Sequence, residues 1–307
     1  MTPGSSESKV GLDQNPGARA LRLAKAAGQK AGIDVSDAKL LRVRSSVHVE
    51  LPQAGVVARV EASGAERLAD RQVRVARLLA DRNAPVARLI RPELQPYLVE
   101  DGAVTLWQRL ERVAGPNLAA LGQAVRALHD ATRSSLPPDL PSCDPLHLVH
   151  GYLRRPSPWS GSDDSQELRR RADALTVEWQ LAARDDPLGR VIVHGDAHPD
   201  NAIVTKKGLV LLDLEDAGEG PASWDFAALK VGVKRYGVPP EDYRAFATGY
   251  GSEPDAWEGH AVMCRVYELE VTAWAMRCSA DSPLMAEEAS VRVATVLGRG
   301  EGQWRQL

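Results

Sequence analysis

The sequence predicts an α+β protein of two lobes, a small β-rich N-terminal lobe and a larger, mostly helical C-terminal one. Three observations predict it. Segments that alternate in the manner of strands are concentrated before residue 111. From residue 118 onward the apolar residues recur at helical spacing. The 307 residues, 44% of them hydrophobic, suffice for one large domain or a two-lobed unit with a sizeable core. The expected division is a disordered tail over 1–16, an N-lobe over 17–110 and a C-lobe over 111–307.

Each element has its own reason. Residues 1–16 are polar with Gly and Pro, a composition that cannot bury a core. Residues 18–31 are rich in Ala, Leu and Lys, which favour helix. Residues 40–51 and 56–61 alternate as strands, with "PQAG" as the turn. Residues 66–82 have helical periodicity through Leu68, Val73, Val75, Leu78 and Leu79. Strands over 97–100 and 104–110 flank the turn signal Asp101-Gly102. Residues 118–131 read as a helix. Residues 137–165, rich in Pro, Ser and Asp, read as a long, partly mobile connection. Helices follow over 167–184, 241–250, 257–278 and 285–297, with no internal repeat.

Composition excludes some classes of function. No run of 18 or more apolar residues exists, so no membrane-spanning helix is expected. The first 15 residues lack a basic segment followed by an apolar one, unlike a secretory signal. Cys143, Cys264 and Cys278 are odd in number and lack CxxC spacing, which suits buried thiols in a reducing cytosol. A net charge of −3 makes no case for a nucleic-acid partner, and oligomeric state, monomer or dimer, is left open. The charge is unevenly spread. Residues 1–111 carry 17 Lys and Arg against 13 Asp and Glu, and residues 112–307 carry 21 against 28. A basic N-half suits nucleotide handling, and an acidic C-half suits a cationic acceptor or is simply a set of solvated helix faces.

The chemistry concentrates in the octapeptide HGDAHPDN, residues 194–201, and the apolar run and carboxylate that follow, Leu209 to Asp213. This places a carboxylate (Asp196), an amide (Asn201) and a second carboxylate (Asp213) in order within 20 residues. Phosphoryl transfer from a nucleotide needs these parts: a base for the acceptor hydroxyl, and oxygen ligands for Mg2+. Mg2+ takes one or two carboxylates together with phosphate oxygens, so few protein ligands are required.

HGDAHPDN resembles the HGDxxxxN signature of the aminoglycoside phosphotransferase and choline kinase-like family, a protein-kinase-fold group that phosphorylates small molecules. "VLLDLEDAGEGPASWDFAAL" is similar to the family's second signature: strand, Asp, acidic pair, Gly-Pro, then Trp-Asp-hydrophobic-Ala. "VTLWQRL" and "LGQAVRALHDA" resemble the lobe connection and first C-lobe helix of actinobacterial members. The resemblance runs loosely over residues 40–292 and is specific over 191–229. It implies a bilobal kinase-like fold with Asp196 as catalytic base, Asn201 and Asp213 on the metal, and His194 and Asp225 supporting the loop. His198 stands where Ser/Thr protein kinases carry a catalytic-loop Lys. There it either donates a hydrogen bond to the transferring phosphoryl group or packs the loop.

The N-lobe departs from the family pattern. The third-strand cation, in "GVVARV", is Arg59 and not Lys. The helix position expected to hold its Glu partner is Gln72, so Arg59 pairs with another carboxylate or with none. No GxGxxG loop occurs, and the turn over the phosphates falls at Ser45 and Ser46. Backbone groups from Gln108 to Leu110 are expected to read the purine, which leaves ATP and GTP undistinguished. The acceptor site is expected on the C-lobe helices, with Glu268, Glu270 and Trp274 as a carboxylate–aromatic wall.

The expectation is thus a Mg2+-dependent kinase that moves the γ-phosphoryl group of ATP or GTP to a hydroxyl of a small molecule, with nucleotide and acceptor as its partners. An aminoglycoside or nucleoside antibiotic is the first choice of acceptor, an amino sugar or other primary metabolite the second. A nucleotide-binding pseudokinase is a further alternative. A phosphoesterase using His194, Asp196, His198 and Asp200 lacks the further His/Asp cluster that such a site requires.

Overall fold

Residues 15–43 and 46–306 are described by the structure, a computed structural model. Asn15 opens the first helix, α1 (Pro16–Lys30), by accepting from the Gly17 and Ala18 amides at 3.0 and 3.3 Å, and Pro16 sits in the first turn, where a missing N–H costs nothing. Strands β1 (Lys39–Val43), β2 (Val47–Leu51), β3 (Val56–Val60), β4 (Tyr97–Val99) and β5 (Gly102–Gln108) form an antiparallel sheet in the order β1-β2-β3-β5-β4. Of the two or three strands expected before the first N-lobe helix, the structure has three, because the segment over 40–51 holds both β1 and β2, which pair antiparallel. The last strand starts at Gly102, two residues before the expected 104. Glu100 takes a left-handed φ of 49°, which completes the turn early.

Successive strand residues point to opposite faces. On β3, Val56, Ala58 and Val60 are buried in a core with Ala20, Leu23, Ala24 and Ala27 of α1. Arg59 and Val57 therefore take the other face.

The chain divides into two compact units. The first runs to Val73 and includes Arg88–Arg109; the second takes Arg74–Ala87 and everything from Leu110. The division is not the single cut at residue 110 that the sequence suggests, because helix α2 (Glu66–Asp81) contributes to both.

The second unit holds α3 (Leu118–Arg133), α4 (Pro145–Arg154), α5 (Asp163–Arg184), α6 (Trp224–Arg235), α7 (Pro240–Tyr250), α8 (Glu258–Cys278) and α9 (Pro283–Val296). The expected long connection over 137–165 contains α4. Asp144 caps it by accepting from the His147 amide at 3.0 Å, and Leu146, Val149 and Leu153 anchor it. Helix α6 has no counterpart in the sequence reading. Ser162 caps α5 four residues earlier than expected. Between α5 and α6 lie β6 (Arg190–Val193), β7 (Ala202–Thr205), β8 (Gly208–Leu211) and β9 (Gly218–Pro221), paired β6 with β9 and β7 with β8. The unit's core joins Val149, Leu168, Trp179, Val191, Trp224 and Met263. Among the described residues, no helix is long and apolar enough to cross a membrane.

Candidate active site

The octapeptide leaves β6 as a loop, and the backbone explains its residue types. Gly195 has a φ of +89°, and a Cβ there would lie 2.7 Å from the carbonyl oxygen of Asp216. Only glycine meets both conditions. Behind the loop, Asp225 at the start of α6 accepts from the amides of His194 and Gly195, each at 2.8 Å. His129 on α3 joins the same carboxylate at 2.9 Å and reaches the Tyr250 hydroxyl at 2.9 Å through its other nitrogen. Trp224 donates its indole N–H to the Gly195 carbonyl at 3.1 Å. His194 is fully buried. Its Nε2 meets the Leu212 carbonyl at 2.7 Å and its Nδ1 accepts from the Asp196 amide at 3.4 Å. These two bonds place its proton on Nε2 and tie the loop to the segment carrying Asp213.

Three side chains converge on the Asp196 carboxylate. Asn201 donates Nδ2–H to Asp196 Oδ2 and to its carbonyl, both at 3.0 Å. His198 Nε2 lies 3.2 Å from Oδ2, and the Tyr267 hydroxyl donates to Oδ1 at 3.3 Å. Burial works to raise the Asp196 pKa, but His198, His194 and Tyr267 outweigh it and hold the carboxyl below its ordinary value. For His198 burial works downward, and the charges of Asp196, Asp200 and Asp213 turn the net shift upward. His198 Nδ1 also accepts from the Asp200 amide at 3.3 Å, a bond that a second ring proton would break.

Asn201 closes a 3-10 turn, Pro199–Asn201, and its carbonyl accepts from the Leu212 amide at 2.8 Å. Because its nitrogen is committed twice to Asp196, its side-chain oxygen is directed away from that carboxylate. Asp213 follows β8 with a left-handed φ of 57°, a conformation that Asp adopts more readily than most residues. Leu211, two residues before it, is held by β7 on one side and by Pro85 and Ala87 on the other. Asn201 and Asp213 offer hard oxygen donors of the type that Mg2+ takes.

The acceptor wall divides. Glu270 lies one turn along α8 from Tyr267, on the same face. Among the described residues its Oε2 is buried without a hydrogen-bond partner, and burial, then Asp216 and Asp196, push its pKa well up. Glu268 does not join it. That carboxylate is buried against Arg235 at 2.7 Å and Lys234 at 2.9 Å. Trp274 packs on the apolar core of the unit. His129 escaped the sequence reading, because a lone His on a helix carries no spacing signal.

In the first unit Arg59 is buried, and its Nε donates to Glu61 Oε1 at 2.7 Å. Glu61, the residue after β3, thus supplies a carboxylate to Arg59. Gln72 is buried, and neither amide atom meets a partner among the described residues. Ser46 is buried, while Ser45 lies outside the described residues. The Gln108 amide is taken by the Arg88 carbonyl at 2.8 Å and the Arg109 amide by Gly55 at 2.8 Å. Those two N–H groups are taken by the protein's own backbone. Leu110 begins the second unit.

The model of the phosphotransferase enzyme family matches residues 43–262. No curated protein matches the sequence at a significant level. Solved structures match over most of the chain. An amicoumacin kinase in complex with AMP-PNP, Ca2+ and Ami is 15% identical, with a TM-score of 0.68 over 94% of this chain and 97% of that one. A choline/ethanolamine kinase family protein from Mesorhizobium loti is 17% identical, with a TM-score of 0.62 over 93% and 95%. An aminoglycoside phosphotransferase from Streptomyces rimosus is 17% identical, with a TM-score of 0.61 over 82% and 98%. At these identities the likeness concerns the fold, which is kinase-like: a small antiparallel sheet first, then a helical part.

Proposed function

The chain belongs to the phosphotransferase enzyme family, and we propose that it moves the γ-phosphoryl group of ATP or GTP to a hydroxyl of a small, amine-bearing molecule, with Mg2+. The observation that carries this reading is the Asp196 carboxylate, held from three sides by Asn201, His198 and Tyr267 on a loop that Asp225 fixes from behind. A carboxylate below its ordinary pKa stays ionised near neutrality. It orients the acceptor hydroxyl and takes its proton late, as a loose phosphoryl transition state requires. His198 donates from Nε2 and keeps that carboxylate in place. Asn201 and Asp213 would hold the metal, which would supply positive charge against the phosphates. Arg59 faces the phosphates.

The donor and metal are supported by the amicoumacin kinase that binds AMP-PNP and Ca2+. Glu270, buried one turn from Tyr267 with Oε2 unpartnered among the described residues, supports an acceptor with an amino group, since an ammonium would satisfy it. An antibiotic of aminoglycoside or nucleoside type fits this chemistry, as does an amino sugar or other primary metabolite. The intact set of Asp196, Asn201 and Asp213 speaks against the pseudokinase alternative.

The test is mass spectrometry after incubation with MgATP or MgGTP and a panel of aminoglycosides, nucleoside antibiotics, macrolides and amino sugars. One added phosphoryl group identifies donor and acceptor. Asp196→Asn should lower the rate by about 10²–10⁴-fold and leave nucleotide affinity within a few-fold. A variant retaining more than a tenth of the wild-type rate removes Asp196 from the chemistry.

A further inference from the structure

The hydrogen bonds of the Asp196 carboxylate separate its two oxygens. An ionised carboxylate accepts at about two sites on each oxygen. Oδ2 takes both of its bonds from the octapeptide loop, Asn201 Nδ2 at 3.0 Å and His198 Nε2 at 3.2 Å. Oδ1 takes one, from the Tyr267 hydroxyl at 3.3 Å. Among the described residues, the second site of Oδ1 has no donor. Oδ1 is therefore the less encumbered oxygen in number and, at that distance, in strength.

Tyr267 reaches this oxygen from α8, and its ring is held independently of the bond. It packs edge-on against Trp224, with centroids 5.8 Å apart. Trp224 is pinned to the loop through the Gly195 carbonyl and packs edge-on against Trp179 at 5.2 Å. Phenylalanine would fill the same space against Trp224. What the hydroxyl adds is a donor to Oδ1. Two donors on Oδ2 leave the carboxylate able to swing about that oxygen, and a third donor on the other oxygen stops the swing.

We propose that Asp196 takes the acceptor's proton on Oδ1, and that Tyr267 is the positioning residue that turns the open site of that oxygen toward the acceptor. This rests on the reading of Asp196 as the base. In the transfer, the bond from the γ-phosphorus to the β,γ-bridging oxygen breaks, and its electron pair leaves with the nucleoside diphosphate. The acceptor oxygen bonds to that phosphorus and passes its proton to Oδ1. The proton departs to solvent after product release. Tyr267 acts through Asp196 alone.

The experiment measures steady-state transfer from MgATP or MgGTP, whichever the wild type prefers, to the alcohol that the acceptor panel identifies and, without it, to water. Tyr267→Phe keeps the ring and should leave Tm near wild type. Its kcat should fall about tenfold, the lower end for one hydrogen bond to a charged group, and by the same factor for alcohol and water. KM for nucleotide and for alcohol should stay within about twofold, since the contribution is made in the transition state. In an Asp196→Asn background the same substitution should cost nothing further, because the two residues act as a unit.

Several outcomes overturn the inference. A raised KM for the alcohol, or a loss confined to the alcohol while hydrolysis keeps its wild-type rate, makes Tyr267 an acceptor contact. A wild-type or faster kcat means that Oδ1 needs no second donor, or that the hydroxyl competes with the acceptor for it. A further loss in the Asp196→Asn background gives Tyr267 a route that bypasses Asp196. A lower Tm together with weaker nucleotide binding makes the hydroxyl merely structural. Asp196→Asn retaining more than about a tenth of the wild-type rate, or a wild type that transfers to neither alcohol nor water, removes the reading of Asp196 itself, and the inference with it.

Discussion

Asp225 carries the active loop without facing it. Its two oxygens satisfy the amides of His194 and Gly195, and His129 braces it from α3. Asp225→Asn keeps one acceptor and turns an NH2 group toward a buried N–H. One backbone donor is then orphaned, at a cost of about 1–3 kcal/mol. Thermal unfolding should show this as a lower Tm, and the turnover rate should fall while nucleotide affinity stays near wild type. An unchanged Tm would mean that the loop amides have another route to satisfaction. At this scale the sequence was most legible where chemistry forces residue types into short spacing: Asp196, Asn201, Asp213, His194 and Asp225 all occupy one stretch. It was least legible where long-range packing brings in single residues. Tyr267, 71 positions from Asp196, has no local signature.

The pairing of α3 with α7 depends on two glycines. A Cβ on Gly122 would lie 2.1 Å from the Phe246 carbonyl oxygen, and one on Gly249 would lie 2.0 Å from that of Ala119. Helix backbones approach this closely only when neither residue carries a side chain. Gly122→Ala should therefore lower stability by about 1–3 kcal/mol or more, as overpacking against backbone does. Gly151, inside α4, has nothing within 4 Å of the same position. Gly151→Ala should raise stability by about 0.5–1 kcal/mol through helix propensity. Denaturant melts of the two variants should move in opposite directions, and a common direction would refute the packing account. Legibility of elements follows the same physics. α3 and α5 kept their pattern and were found. α6 is buried on nearly every side at its start, through Trp224, Asp225, Phe226 and Ala227, which erases the periodicity that marks a surface helix. α4 is short and set among prolines and serines, so its composition suggested a loop while its cap, Asp144 before Pro145, went unread.

At the scale of the whole chain, charge and donor count decide how the metal arrives. Among the described residues, no group of three or more His, Cys, Asp and Glu is placed to hold a metal ion. Asn201 and Asp213 together supply one formal charge, and Mg2+ gives up its water reluctantly to so sparse a set. In the proposed site the remaining ligands would be phosphate oxygens and retained waters. The metal is then part of the donor complex and not a resident of the protein. Titration calorimetry should find Mg2+ binding to the nucleotide-free protein no tighter than about millimolar, and much tighter in the presence of ADP or ATP. Chelation should abolish phosphoryl transfer and leave the folded protein's Tm unchanged, since no fold element relies on the ion. Micromolar Mg2+ affinity without nucleotide would contradict this and require a third protein ligand, for which Asp216, next to the backbone of Gly195, would be the first candidate to substitute.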